Sequence, residues 1–578
     1  MGGEISPGKK TPTAEEIWKK YESGLDFNRK INLDKTVEDN ENFFIGKQWE
    51  GVKSNGLPTP VFNFLKRDVL FCVASNTSDN IKLSASMLPA AQGRAEKEFL
   101  VDVVNAQFDA LFEQNKIPVR IREFMRNAAV DGDGAMYVYW DADVETGQDS
   151  KGAIRTEIIE NTRVVFGNPN ERRVQNQPWI ILVRRLRVYD IKERARENGG
   201  ETDGIAPDSD DTNSLFDSYT DDKATMLLFL RRDKETKNIF ATEATRHAIV
   251  RKEWDLGITH YPLIWMNWDY VQDSYHGQAM ITGLLNNQQF VNKMFAMVMV
   301  SQMHTAFPRT VYDKSRIRKW TNQIGAAIGI EGGDTKSVAT ILEPAQISPQ
   351  VSQVISSVVD YTQSFLGATS AALGDTRPDN TSAIIALQRA SSVPMELTKQ
   401  NMYDAIEDLG LIFLDFMGAY YGQRYIDMTV DSVPPNMLPE EVRNFAQAGL
   451  APDMTIPVPF DFAQLKNVPM QLKLDVGASS YWSEIASLQT LDNLLMQNKI
   501  DVVQYLERVP DGFIPKRQEL IAELKSAQMA AQNPSPEQAP KQPPSEDGIT
   551  PAPLEAIDVV GGRGFGKLQR AINETGTT

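Results

Sequence analysis

A chain of 578 residues, 41% hydrophobic and 24% charged, is long enough for about three or four globular domains. Its net charge of −17, from 77 acidic and 60 basic residues, argues against a protein that grips nucleic acid by neutralising phosphates, while allowing a surface that DNA slides past or simple solubility. The single Cys72 excludes an intrachain disulfide and a Cys-rich zinc site, and no apolar run approaches the ~20 residues a membrane-spanning helix needs.

In chain order, MGGEISPGKK has no hydrophobic signal core and only a crude myristoylation match at Gly2 and Ser6, so a soluble protein is expected. The first forty residues are polar, with a helical stretch around 17–21, and residues 42–49 add aromatic anchors before a Gly- and Pro-containing loop. Phe99, Val103, Phe108 and Leu111 share overlapping faces of a helix over 94–112, and a second helix covers 119–130. Segments 135–140, 154–159, 180–187, 225–232, 239–242 and 247–254 read as strands divided by turn formers, which makes this region mixed α+β. Residues 198–222, rich in Gly, Asp, Ser and Thr, read as an exposed or mobile loop.

Two helical rods follow. Ile281, Leu284, Leu285, Val291, Met294, Phe295 and Val298 form one stripe over 278–303, which ends where Pro308 forbids helix at Phe307. Val351, Val354, Ile355, Val358, Val359, Thr362, Phe365 and Leu366 form another over 348–366, opened by Ser348 and Pro349 as N-cap and N1 and closed at Gly367. At ~1.5 Å per residue these would be rods of roughly 40 and 30 Å. The insert between them holds two β-like pieces, 309–312 and 338–342, and the basic residues Lys314, Arg316, Arg318 and Lys319. These read as a solvated helix face, with a charged docking surface as the rival reading. The insert is too small to hold much core alone, so it is completed either by neighbouring copies or by docking on its own chain.

Beyond the rods, Pro394 interrupts helical hydrogen bonding, and a long helix then carries Met402, Ile406, Leu409, Phe413, Phe416, Met417 and Tyr420 on its apolar side. Residues 480–506 are again helical in pattern, and 533–553, with seven prolines, read as disordered.

Candidate chemistry is sparse. The string GGRGFGK at 561–567 matches the core of a phosphate-binding loop but is followed by Leu568 where Ser or Thr must hold magnesium, and only eleven residues remain for a domain. Asp141, Asp143 and Glu145 alternate like calcium ligands, but Gly147 and Gly152 fall at the wrong positions, so a hairpin turn is the better reading. The DGDG of Asp131 and Asp133 likewise reads as a turn, and the four histidines form no HExxH pair. Cys72 lies in an apolar run and reads as a small buried hydrophobe. No catalytic residue, metal site or cofactor is expected.

The strings FFIGKQWEG and PVFNFLKRDV, HGQAMITGLLNNQQFVNKMF, and LDNLLMQNKIDVVQYLERV, in that order and around the helix, insert, helix plan, resemble the portal proteins of tailed bacteriophages, podovirus-type. The likeness covers about residues 43–528. It implies a helix-rich α+β, ring-forming fold in which 1–277 are wing, 278–306 the first stem helix, 307–347 the clip and 348–367 the second stem helix. Residues 368–400 would connect through a tunnel loop, 401–479 would return to the wing, 480–528 would form crown helices and 529–578 a tail. By order alone the tunnel loop facing DNA falls on Ser391, Ser392, Val393, Pro394, Met395, Glu396, Leu397, Thr398 and Lys399. Lys314, Arg316, Arg318 and Lys319 become clip residues that dock a partner.

The resemblance further implies a non-enzymatic ring, usually of twelve copies, at one capsid vertex of the virion, assembled in the host cytoplasm. Its partners would be the terminase large subunit, a head-tail adaptor, the major capsid and scaffolding proteins, and double-stranded DNA passing non-specifically, with no membrane. The alternatives are another structural virion component, such as an adaptor or internal head protein, and, less favoured, a packaging ATPase.

Overall fold

The computed structural model describes residues 11–524 except 55, 80, 88–94, 149, 209–221, 308, 318, 322–327, 333, 335, 336, 343–347, 367–392, 436, 439, 441, 444–454, 468, 469, 477–480, 498, 510–513, 515, 516, 518, 519, 522 and 523. It is mixed α+β, 47% helix and 22% strand, so helices carry most of the framework, and there is no barrel among the described residues. Two compact units divide the chain, residues 1–485 and 486–578. The phosphate-loop-like string at 561–567 and the proline-rich stretch at 533–553 lie outside the described residues.

The first unit opens with α1 (Ala14–Lys30), α2 (Leu33–Ile45), α3 (Phe64–Asn76), β1 (Ile81–Met87), α4 (Ala95–Gln114) and α5 (Ile117–Asp131). Thr13 and Glu16 form a reciprocal capping box on α1. Asn63 caps α3 by accepting from Lys66 N at 3.2 Å. Next come β2 (Asp133–Asp141) and β3 (Ala153–Ile159), joined as an antiparallel hairpin whose turn closes at Gly152, with φ of +98°. The acidic alternation at 141–145 thus lies in a hairpin connection.

A meander of β4 (Val164–Phe166), β5 (Trp179–Arg187), β6 (Lys223–Arg232), β7 (Ile239–Ala244) and β8 (Ile249–Asp255) follows, with α6 (Val188–Glu197) between its second and third strands. Both faces of this sheet are covered. Ile181, Val183, Leu227 and Phe229 pack on Ile17, Tyr21 and Leu25 of α1, whereas Ile180, Leu182, Leu228 and Leu230 face the main core. Burial on both sides explains why these strands read as continuous apolar runs without alternation. Part of the expected exposed loop at 198–222 is instead fixed. Ile205 is buried, and Arg185 donates to Asp208 Oδ1 at 2.8 Å while Thr225 N donates at 3.0 Å.

β9 (Leu263–Asn267) completes a three-stranded sheet beside β2. The chain then enters α7 (Leu285–Ala306), β10 (Arg309–Tyr312), β11 (Ala339–Leu342) and α8 (Gln350–Phe365). After a 3-10 turn at Val393–Met395 comes α9 (Glu396–Phe416), whose Met402, Ile406, Leu409, Phe413 and Phe416 are buried in the main core. A π-turn at Met417–Tyr421 ends it. β12 (Gln423–Thr429) and β13 (Thr455–Asp461) pair with strict exposed and buried alternation, and β14 (Met470–Val476) returns to pair with β1, Ile81 opposite Val476. α10 (Tyr481–Met496) spans the division between the units, and α11 (Val502–Arg508) lies in the second, where Tyr505 donates to Asp492 at 2.6 Å. No helix among the described residues is long and apolar enough to cross a membrane.

Candidate assembly site: a helical hairpin and its root

α7 and α8 lie antiparallel. Near their shared base Asn287 donates to Thr362 Oγ1 at 3.0 Å, and at the far end β10 pairs antiparallel with β11, Arg309 opposite Leu342. The first rod begins later than its hydrophobic pattern predicts. Residue 278 is strapped to Asp269 by a two-way backbone bridge, Met280 N donates to Ala129 O at 3.0 Å, and residues 282–284 form a 3-10 turn. Helical hydrogen bonding starts only at Leu285 and then runs to Ala306. Gln350 N donates to Ser348 Oγ at 3.3 Å, but the second rod starts at Gln350 with Pro349 at its N-cap position and no side-chain cap, one residue later than the expected Ser348 N-cap and Pro349 N1.

The hairpin is nearly uncharged, although the chain as a whole is 24% charged. Across the 22 residues of α7 and the 16 of α8, Lys293 and Asp360 are the only Asp, Glu, Lys or Arg. Its outward side exposes large apolar groups, including Phe290, Met297, Met303, Val354, Tyr361 and Phe365, the last 79% exposed. Scattered single apolar residues are ordinary on a surface, whereas an exposed apolar set on a nearly uncharged element is a candidate contact surface.

The root is a buried amide network joining distant parts of the chain. Asn292 donates to Gln48 Oε1 at 2.6 Å and accepts from Gln288 Nε2 at 3.1 Å and Phe62 N at 3.2 Å. Gln288 also donates to Phe62 O at 2.7 Å, and Gln48 donates to Phe43 O at 2.9 Å. Asn63 reaches back to the carbonyls of Phe43 and Phe44, Trp49 donates to Pro60 O, and Phe62 stacks on Phe295 at 4.0 Å. FFIGKQWEG, PVFNFLKRDV and HGQAMITGLLNNQQFVNKMF thus supply the two sides of one joint.

A second buried joint sits just before α7. Asp133 accepts from His276 Nδ1 at 2.6 Å, Asn267 at 2.7 Å, Gly277 N at 2.7 Å and Asn161 at 3.2 Å. A carboxylate so fully engaged is structural, which explains the DGDG string better than a turn alone. Gly132, at φ +100°, lies where an added Cβ would meet Gly277 O at 2.9 Å, so these backbones approach too closely for a side chain.

On the other side, α8 is seated on α3. The buried Asp68 accepts from Gln363 Nε2 at 3.4 Å, and Cys72 Sγ lies 3.8 Å from Leu366 O. Burial pushes the Asp68 carboxyl up to about 6, against smaller opposing pulls from Gln363 and Arg67. Burial likewise raises the Cys72 thiol to about 12, with the Asp68 charge adding to it, so Cys72 is an inert core group.

Lys314, Arg316 and Lys319 do not lie on a helix. Asp313 organises a turn, accepting from Ser315 N at 2.9 Å and Ser315 Oγ at 2.6 Å, with Arg316 Nε at 3.7 Å from its carboxylate. These bonds hold the Asp313 carboxyl below the usual range, the Ser315 side chain contributing most. Lys314 and Lys319 are exposed and Arg316 is half-buried, while Arg318 lies outside the described residues. Ile317 and Val338 bury against the turn and Tyr312 stacks on Trp320 at 5.0 Å, so the insert has a minimal core of its own.

Of the nine residues expected in a tunnel loop, Ser391 and Ser392 lie outside the described residues. Val393, Pro394 and Met395 form the 3-10 turn, and Glu396, Leu397, Thr398 and Lys399 are the first turn of α9, so this part is helical and not a loop. Met395 and Thr398 are buried, Val393 and Leu397 exposed. Lys399 is committed to the buried Asp79, 2.5 Å from its carboxylate, which also accepts from Tyr403.

The cluster that most resembles an acid-base relay is Thr259, His260 and Asp415. Thr259 Oγ1 and His260 Nδ1 both reach the same oxygen, Asp415 Oδ2, at 2.8 and 2.7 Å. A relay needs the imidazole between hydroxyl and carboxylate, each on a different ring nitrogen. Here the hydroxyl bypasses the ring, so the arrangement pins a loop to α9. Among the described residues no group of three or more His, Cys, Asp or Glu could hold a metal ion.

No protein-family model matches this sequence, and comparison with curated proteins returns no match.

Proposed function

We propose that this chain is the portal protein of a tailed bacteriophage, forming a closed ring, twelve copies in this family, at one capsid vertex. The observation that carries the reading is the uncharged antiparallel hairpin with apolar groups on its outward side, rooted by two buried polar joints in an α+β body. Repeated around a ring, such hairpins bury their apolar surface against one another and line a channel with little charge. A lining poor in cations binds phosphate weakly, which favours passage of DNA in packaging and ejection.

The β-ribbon turn at the hairpin's tip presents Lys314 and Lys319 to the terminase large subunit and then to a head-tail adaptor. The body contacts capsid and scaffolding proteins. The chain would hydrolyse nothing, ATP turnover belonging to the terminase, and would reside in the virion after assembly in the host cytoplasm. The test is a packaging assay in which an empty procapsid either contains this chain or lacks it. DNA filling that depends on the chain supports the reading, and filling without it overturns the reading.

A further inference from the structure

The two helices of the hairpin carry one Lys, Lys293, and one Asp, Asp360. Lys293 is six residues beyond Asn287, and Asp360 two before Thr362, the pair that marks where the helices face each other. At 100° per residue, Lys293 points about 120° and Asp360 about 160° away from the facing helix. Relative to the body-facing residues Gln288 on α7 and Gln363 on α8, the two fall on opposite flanks of the hairpin. Both are exposed, and among the described residues neither has an ion-pair partner.

Their heights differ by about 6 Å. Lys293 stands ~9 Å and Asp360 ~3 Å above the Asn287 and Thr362 level, a difference the long lysine stem spans. Head-to-tail contacts in a cyclic assembly bring one flank of each copy against the other flank of the next. Opposite charges isolated on otherwise uncharged flanks then set the register between copies, because a slipped or inverted hairpin would leave each charge against apolar surface.

We infer that Lys293 of one copy pairs with Asp360 of the next copy and fixes the register of neighbouring hairpins. This rests on the ring reading above and deepens it. The test uses the full chain and measures ring fraction at fixed concentration by single-particle microscopy. Lys293→Glu and Asp360→Lys should each lower that fraction at least about threefold, and the double reversal should restore it to within about twofold.

A second variant reports on contact directly. In Lys293→Cys with Asp360→Cys, a short bismaleimide should give a covalent ladder of multimers, with the buried Cys72 contributing none in wild type. Single reversals that assemble like wild type, a double reversal no better than the singles, or no ladder would overturn the pairing while leaving the ring intact. A wild-type chain that forms no closed ring would overturn the pairing and the ring reading together.

Discussion

Asn292 and Gln48 lie 244 positions apart and share a 2.6 Å hydrogen bond inside a fully buried amide cluster. It fixes the base of the hairpin to the loop after α2. Removing the amide with Asn292→Ala leaves Gln48 Oε1 and the Phe62 N–H without this partner, while Gln288 keeps its bond to Phe62 O, and a buried unsatisfied polar group costs about 1–3 kcal/mol. The expected result is a comparable fall in stability on urea denaturation, whereas substitution of the exposed Gln302 should change little.

Asp68 gives a pH signature with a definite sign. Burial pushes its folded carboxyl up to about 6 from the ordinary 3.8. Below pH ~4 both states are protonated and the site costs nothing; between ~4 and ~6 the unfolded state ionises first, so stability is lost as pH rises. The loss levels off above the folded value, at about 3 kcal/mol for a shift of this size. Asp68→Asn should therefore gain over wild type as pH rises from 4 to 7.5, read as a growing difference in Tm. A constant difference would remove the titration of Asp68 as its cause.

Lys399 tests whether the start of α9 is a structural latch. Its partner Asp79 has a fully buried side chain, and breaking one side of a buried pair costs about 3–5 kcal/mol. Lys399→Met should lower Tm by several degrees, and adding Asp79→Asn should recover part of that loss. An unchanged Tm in the single variant would mean that the ion pair contributes nothing.

Much of this architecture was legible in the sequence, and the failures share a cause. The rods and the buried face of α9 follow from periodicity, because Met402, Ile406, Leu409 and Phe413 recur at helical spacing, and β5 to β8 follow from apolar runs between turn formers, whereas the three-residue β4 was not expected. The late start of α7 was not legible, since the bridge between residues 269 and 278 and the strap from Met280 to Ala129 are tertiary bonds that override an apolar pattern. Lys399 read as a loop cation because its partner, Asp79, is 320 positions away in the sequence. The root network shows the reverse case. Gln48, Asn63, Gln288 and Asn292 stand inside the strings that carry the family likeness, yet polar residues announce no partners until the chain is folded.

The tip of the insert makes a separable prediction. Lys314→Glu with Lys319→Glu should leave rings intact and weaken capture of the terminase large subunit by at least about tenfold at low salt, since rim charges act mainly on association. Unchanged capture in a pull-down would place the docking surface elsewhere.

The central claim is that these hairpins close into a ring around a channel. The most direct measurement is negative-stain microscopy of the purified full chain at assembly concentration, with end-on views classified by rotational symmetry. The account predicts closed rings with a central opening and a single dominant symmetry. Monomers, or open filaments without closure, would contradict it.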